Sequence, residues 1–190
     1  SCIFLINALI VDFSAQKYGF ERVDSVTVEV GGVELDYPWA GGINAAQFST
    51  IHLNNDTIED LFIFDRTGNK VLTFVNSGVG SGYVYAPEYE SQFPALQSWA
   101  LLRDYNCDGK NDIFTYSSGG MAVYLNTSNT ELQFTQITSL VLSDYGSNSL
   151  NIYISPVDIP AITDIDYDGD LDILTFSILG GFVEYHKNLS

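Results

Sequence analysis

Apolar residues in this chain come in short bursts separated by acidic or glycine-bearing breaks. Leu61-Phe62-Ile63-Phe64, Ile113-Phe114-Thr115-Tyr116 and Ile173-Leu174-Thr175-Phe176 form one set of runs. A second set, Lys70–Val75, Met121–Leu125 and Phe182–His186, follows after a short turn carrying Gly, Asn or Ser. Runs of this length, rich in β-branched and aromatic side chains and bounded by turn formers, read as strands. No long stretch places apolar residues at helical spacing. The pattern predicts an all-β protein.

The runs repeat in register. Ahead of two of them stand acidic nonapeptides of the form D-x-[DN]-x-D-G-x-x-D, at 104–112 (Asp104, Asn106, Asp108, Gly109, Asp112) and at 164–172 (Asp164, Asp166, Asp168, Gly169, Asp172). A decayed copy at 52–60 keeps Asn54, Asp56 and Asp60 but carries His52 and Thr57. The closing aspartates stand at 60, 112 and 172, spaced by 52 and 60 residues, and each leads on to a glycine and then an asparagine (Asn76, Asn126, Asn188). Each unit thus reads strand, acidic loop, strand, glycine turn, strand. A small sheet of this size cannot bury both faces alone, so the units imply stacked blades of a propeller-like array. The segments 78–99 and 127–160 can supply outer strands and connections, and no domain boundary is expected inside 17–190.

The loop spacing suits a hard cation. Side chains at the first, third and fifth positions can converge on one centre, and glycine at the sixth takes a positive φ at little cost. The seventh residue (Lys110 or Asp170) offers its backbone carbonyl, and the carboxylate at the ninth closes the shell. Several oxygens in a flexible shell are what Ca²⁺ prefers. The bland alternative for each loop is a solvated acidic turn. In the first copy His52 is a poor ligand for a hard cation and Thr57 lacks glycine's φ freedom. Asn54, Asp56 and Asp60 are therefore a weak metal set there, with a metal-free structural turn favoured. An EF-hand would need a glutamate at position twelve and flanking helices; Thr115 and Thr175 stand there, between strand-like flanks, and exclude it.

These loops, each followed by a hydrophobic strand, resemble the FG-GAP/VCBS repeat of integrin α-subunit propellers and of many secreted bacterial proteins. Pro38-Trp39-Ala40-Gly41-Gly42, Gln47-Phe48-Ser49, the stretch Asp60–Asn69, the stretch Trp99–Gly109 and Asp172-Ile173-Leu174-Thr175-Phe176 resemble VCBS-repeat proteins of Bacteroidota. The resemblance covers nearly the whole chain after residue 17. It implies a partial β-propeller of about three blades, with Ca²⁺ held by Asp104, Asn106, Asp108 and Asp112 and by Asp164, Asp166, Asp168 and Asp172. It also implies export, commonly by type IX secretion with a C-terminal sorting domain. No sorting domain is present, and three blades are too few to close a ring of about seven, so the remaining blades are expected in a longer protein.

Composition narrows the partners. A net charge of −17, from 24 acidic and 7 basic residues, disfavours nucleic acid and anionic membranes. Two bound Ca²⁺ would bring the charge to −13; the two loops hold eight of the carboxylates. Cys2 and Cys107 support neither a disulfide framework nor a zinc site. Residues 1–16 read as a truncated signal peptide, mostly apolar from Cys2 to Val11 with cleavage after Ala15, against the alternative of a buried strand. No segment approaches transmembrane length.

The other candidates are weaker. Trp39 and Trp99 could stack on sugars but more often such residues pack in a core. His52 and His186 have no partner for catalysis at a recognisable spacing. Gly78-Val79-Gly80-Ser81-Gly82 is a flexible turn, the three glycosylation sequons (Asn55, Asn126, Asn188) are coincidental, and the aspartate spacing suits one cation better than an acid and base pair. The expected function is a secreted or cell-surface, calcium-binding propeller segment for adhesion to or recognition of an extracellular protein or glycan, without chemistry of its own. The alternatives are a non-catalytic scaffold or accessory domain of a secreted polysaccharide-degrading enzyme, and a structural spacer.

Overall fold

The structure is a computed structural model, and residues 23–189 are described here, except 55, 79 and 81. The expected signal peptide, 1–16, lies outside the described residues. The chain divides into two compact units, Ser1–Trp39 and Ala40–Ser190; the repeat span drawn from the sequence, 17–190, runs across this division. In the described part of the first unit, strands β1 (Glu29–Val30) and β2 (Val33–Glu34) form a two-stranded antiparallel hairpin. Gly31 and Gly32 join them at φ of 63° and 80°, the positive pair that a tight primed turn requires. The Trp39 indole N–H donates to Val26 O at 2.9 Å.

Among its described residues the second unit holds three antiparallel sheets of three or four strands, one per sequence repeat, and a two-stranded hairpin. The first contains β3 (Ala46–Ile51), β4 (Asp60–Asp65), β5 (Lys70–Asn76) and β6 (Tyr83–Tyr85), in that order across the sheet. A short 3-10 helix (Pro87–Gln92) leads away from it. The second sheet has β7 (Ala100–Arg103), β8 (Asp112–Ser117), β9 (Gly120–Asn126) and β10 (Phe134–Thr138). A separate hairpin, β11 (Leu142–Asp144) with β12 (Ser149–Asn151), follows. The third sheet is β13 (Ala161–Thr163), β14 (Asp172–Phe176) and β15 (Val183–His186). The fold is all-β, an array of blade-like meanders of the kind that make up a partial β-propeller.

Strand alternation decides how the sheets stack. Side chains on a strand point to opposite faces with period two. On β8, Ile113 faces one way and joins Ile51, Phe62, Phe64, Phe93, Leu96 and Leu102 in a first core. Phe114 faces the other way and joins Trp99, Met121, Val123, Ile152, Ile154 and Ile162 in a second. The middle sheet is thus buried on both faces, which is why its runs are apolar without strict alternation. The connecting segments plug the gaps. Phe93, after the 3-10 helix, sits 4.9 Å from the Phe62 ring and 5.1 Å from the Phe134 ring, while Ile152 and Ile154, after the second hairpin, close the second core.

Polar contacts hold the first strands of successive sheets side by side. Ala100 N–H on β7 donates to the Gln47 Oε1 of β3 at 3.0 Å, and Arg103 Nε on β7 donates to Ile162 O of β13 at 3.1 Å. At one end of the stack, Asn111 Nδ2 in the 104–112 loop donates to Thr50 O beside the 52–60 loop at 2.8 Å. At the other end, Arg66 in the β4–β5 turn spans three repeats, donating from Nε to Ser98 O at 2.8 Å and from Nη2 to Val157 O at 2.9 Å. The acidic loops therefore share one end of the array.

Candidate metal-loop sites

Each acidic loop connects the first and second strands of a sheet, and its aspartate at the ninth position is the first residue of the second strand. Asp60, Asp112 and Asp172 are all fully buried. A buried carboxylate is costly unless hydrogen-bonded, and the three are satisfied in the same way. One oxygen accepts the N–H of the loop's second residue: Leu53 at 2.8 Å, Tyr105 at 2.8 Å and Ile165 at 3.1 Å. The other accepts the N–H of an asparagine at or just past the end of the third strand: Asn76 at 2.8 Å, Asn126 at 2.7 Å and Asn188, two residues beyond β15, at 2.9 Å. The ninth position is thus a clamp between the loop and the third strand. This explains the register of aspartate and asparagine in the sequence, which spacing alone left unexplained.

The carboxyls differ in their surroundings. Burial raises the Asp112 carboxyl above its ordinary value despite the two backbone hydrogen bonds. Burial also pushes Asp172 up, but hydrogen bonds from Asn188, Ile165 and the Tyr185 hydroxyl (3.0 Å) outweigh it and leave the group below its ordinary value. Tyr185 is correspondingly pushed up to about 12, by burial and by that bond.

The second and third loops share one conformation. Asp108 N–H donates to Asp104 Oδ1 at 3.1 Å and Gly109 N–H to Asp104 Oδ2 at 2.9 Å; Asp168 and Gly169 donate to Asp164 at 3.2 and 3.1 Å. The seventh residue's N–H donates to the fifth side chain, Lys110 to Asp108 at 2.9 Å and Asp170 to Asp168 at 3.3 Å. Gly109 and Gly169 take φ of 83° and 101°, as the spacing predicts. The fourth residues, Cys107 and Tyr167, are also left-handed, at 58° and 63°. That second inversion has no glycine to signal it.

In the third loop, Asp164, Asp166 and Asp172 bring one carboxylate oxygen each within 4.8 Å of one another, a grouping that could hold a metal ion. Asp170 Oδ1 is buried without a hydrogen-bond partner, and burial with the charge of Asp168 raises its carboxyl. Lys187 Nζ meets Asp166 Oδ2 and, at 2.9 Å, Asp168 Oδ2; the Lys187 hydrogen bond holds the Asp168 carboxyl below its ordinary value. An all-oxygen donor set, an orphaned oxygen and an ammonium standing in as cation all fit a hard metal ion. In the second loop Asn106 Nδ2 donates to Asp108 Oδ2 at 3.2 Å, linking the third and fifth positions. Lys110 Nζ is turned away, to Ser128 O at 2.7 Å.

The first loop keeps the inner turn bonds, Asp56 N–H to Asn54 Oδ1 at 2.9 Å and Ile58 N–H to Asp56 Oδ1 at 2.8 Å, as the second loop does with Asp108 N–H to Asn106 Oδ1 and Lys110 N–H to Asp108 Oδ1. It differs at the first position, where His52 replaces the aspartate that accepts the fifth and sixth N–H groups in the other two loops. His52 Nδ1 lies 3.0 Å from Ile58 O, the seventh-position carbonyl, which fixes Nδ1 as the protonated nitrogen.

Two other candidates resolve. Trp99 is fully buried in the second core and is no sugar platform, whereas Trp39 is 40% exposed. His186 lies beside Ser143, which sequence spacing did not reveal: Nδ1 is 3.0 Å from Ser143 Oγ, while Nε2 is 3.4 Å from Thr175 Oγ1 and 3.6 Å from Glu184. Burial lowers the imidazole's basicity. The arrangement pins the β11–β12 hairpin to β15.

A family model describing an FG-GAP-like repeat matches residues 104–175. The match begins at Asp104, the first residue of the second loop, and ends in β14, after the third loop. Two loops in one conformation, each feeding a blade-like meander, thus coincide with a propeller-type repeat of this kind. No curated protein and no solved structure gives a significant match to the chain. Among the described residues no helix is long and apolar enough to cross a membrane.

Proposed function

We propose that the protein is a calcium-stapled propeller segment that presents a rigid face for recognition of, or adhesion to, an extracellular protein or glycan. The observation that carries this reading is the third loop, where three carboxylate oxygens converge within 4.8 Å. Asp164, Asp166, Asp168 and Asp172 with the Asp170 carbonyl would hold one ion. Asp104, Asn106, Asp108 and Asp112 with the Lys110 carbonyl would hold another. When bound, the ion supplies charge neutralisation and order to the loop. The chain's own contribution is the clamp at Asp112 and Asp172, which fixes the loop against the sheet before any ion arrives. Asn54, Asp56 and Asp60 serve as a metal-free turn, supported by the His52 contact to the seventh-position carbonyl. Secretion or display at a cell surface, where calcium is plentiful, follows from the same chemistry.

The repeat also implies further blades. Phe62 and Phe64 on β4, and Phe114 on β8, are covered by the next sheet in the stack. The equivalent Leu174 and Phe176 on β14, with Val183 and Tyr185 on β15, line the outer face of the third sheet, where Phe176, Val183 and Tyr185 are about half exposed. Another blade of the same kind is the natural cover for this face.

The test is a calorimetric titration of the 190-residue chain with CaCl2 after EDTA treatment, alongside its melting temperature. Two binding events and a rise in melting temperature are expected, with Asp108→Ala and Asp168→Ala each removing one event. Absence of both binding and stabilisation overturns the reading.

A further inference from the structure

We propose that Lys187 is the built-in counter-cation of the third loop, so that a divalent ion enters this loop only by displacing an ammonium the chain itself supplies. The proposal rests on the calcium reading above and deepens it by separating two loops that the sequence motif makes equivalent.

The geometry is specific to the third loop. Lys187 directly precedes Asn188, whose N–H is held at 2.9 Å by Asp172 Oδ1. The clamp therefore fixes the lysine backbone beside the loop. From there the side chain reaches the third and fifth ligand positions, with Nζ on Asp166 Oδ2 and Asp168 Oδ2. Asp166 is itself one of the three converging carboxylates, so the ammonium and an ion compete for the same carboxylate. The aligned residues in the first two units, Val75 before Asn76 and Leu125 before Asn126, carry no charge. The second loop's lysine, Lys110, is anchored on Ser128 O. Charge follows the same division, with five carboxylates in the third loop against three in the second.

The exchange is physically easy. The side chains of Lys187, Asp166 and Asp168 are 40%, 33% and 39% exposed, so the ammonium can swing into water still protonated, without unfolding the sheet. Like charges crowded in a metal-free loop repel, and the lysine relieves that repulsion. The third loop is consequently ordered without metal, and part of its affinity for metal is spent on expelling the lysine. Exposed ion pairs of this kind are individually weak, so removing the competitor is expected to tighten calcium binding about 3- to 10-fold.

The experiment uses the full chain in an Asp108→Ala background, which disables the exposed second loop while leaving the Asp112 clamp intact. Calcium affinity by calorimetry and melting temperature in EDTA are compared for Lys187, Lys187→Met and Lys187→Gln. Tighter calcium binding together with a lower metal-free melting temperature in both variants supports the exchange. Unchanged affinity with binding intact overturns the role of Lys187 and leaves the calcium reading standing. Loss of binding in all three proteins overturns both. Weaker binding in the variants also overturns the exchange, because it would make the lysine an organiser of the site.

Discussion

Replacing Asp112 by alanine separates two roles that the loop motif merges. If the ninth position is chiefly a metal ligand, its loss should matter only when calcium is present. The structure assigns it a second role, since the fully buried carboxylate accepts N–H groups from Tyr105 at 2.8 Å and Asn126 at 2.7 Å. Alanine leaves both donors without a partner, at about 1–3 kcal/mol each. Relief of the burial that raises this carboxyl returns part of that. A net loss of about 2–4 kcal/mol is expected in EDTA, a large share of the stability of an ordinary domain. Urea denaturation followed by tryptophan fluorescence, in which the fully buried Trp99 reports on the second core, measures it, with Asp108→Ala as the comparison. Asp108 is exposed, and its loss should change metal-free stability by only about 0.5 kcal/mol. Equal stabilities of the two variants in EDTA would refute the clamp.

Two further outcomes test the packing and the pH response. Phe114→Ala empties a site buried between the second and third sheets and should cost about 3–5 kcal/mol in urea denaturation, whereas Phe176→Ser on the uncovered face should leave the stability of the 190-residue chain within about 0.5 kcal/mol of wild type; comparable losses would show that the outer face is already packed. Asp65 is held below its ordinary value by hydrogen bonds from Ala45 (2.7 Å), Asn44 (3.0 Å) and Gly68 (2.9 Å). A depressed carboxyl contributes stability that is present above its unfolded value near 3.8 and lost as pH falls through the lower folded value. Melting temperature should therefore drop below about pH 4, and Asp65→Asn should flatten part of that drop; an unchanged slope in the variant would count against the hydrogen-bond account.

Much of the array was legible in the sequence because its signals are local. Strand runs such as Leu61–Phe64 and Ile113–Tyr116 carry their preference in composition. The recurring order of aspartate, glycine and asparagine within each unit exposes the repeat without any long-range contact. Gly109 and Gly169 announce a positive φ that few other residues tolerate. The inversions at Cys107 and Tyr167 carry no such mark, because non-glycine residues enter that region only when surrounding hydrogen bonds over-determine them.

What the sequence determined by itself was the all-β class, the three units and the cluster of ligand-capable oxygens in each acidic loop. Tertiary structure decided how those oxygens are employed. Asp60, Asp112 and Asp172 each accept an N–H from an asparagine at or just past the end of the third strand, 14 to 16 residues later, a pairing that only sheet closure creates. Lys187 lies 19 to 21 residues from the aspartates it meets, and no loop motif includes it. Spacing within nine residues fixes which atoms can converge; the fold around them decides what else competes for the same oxygens.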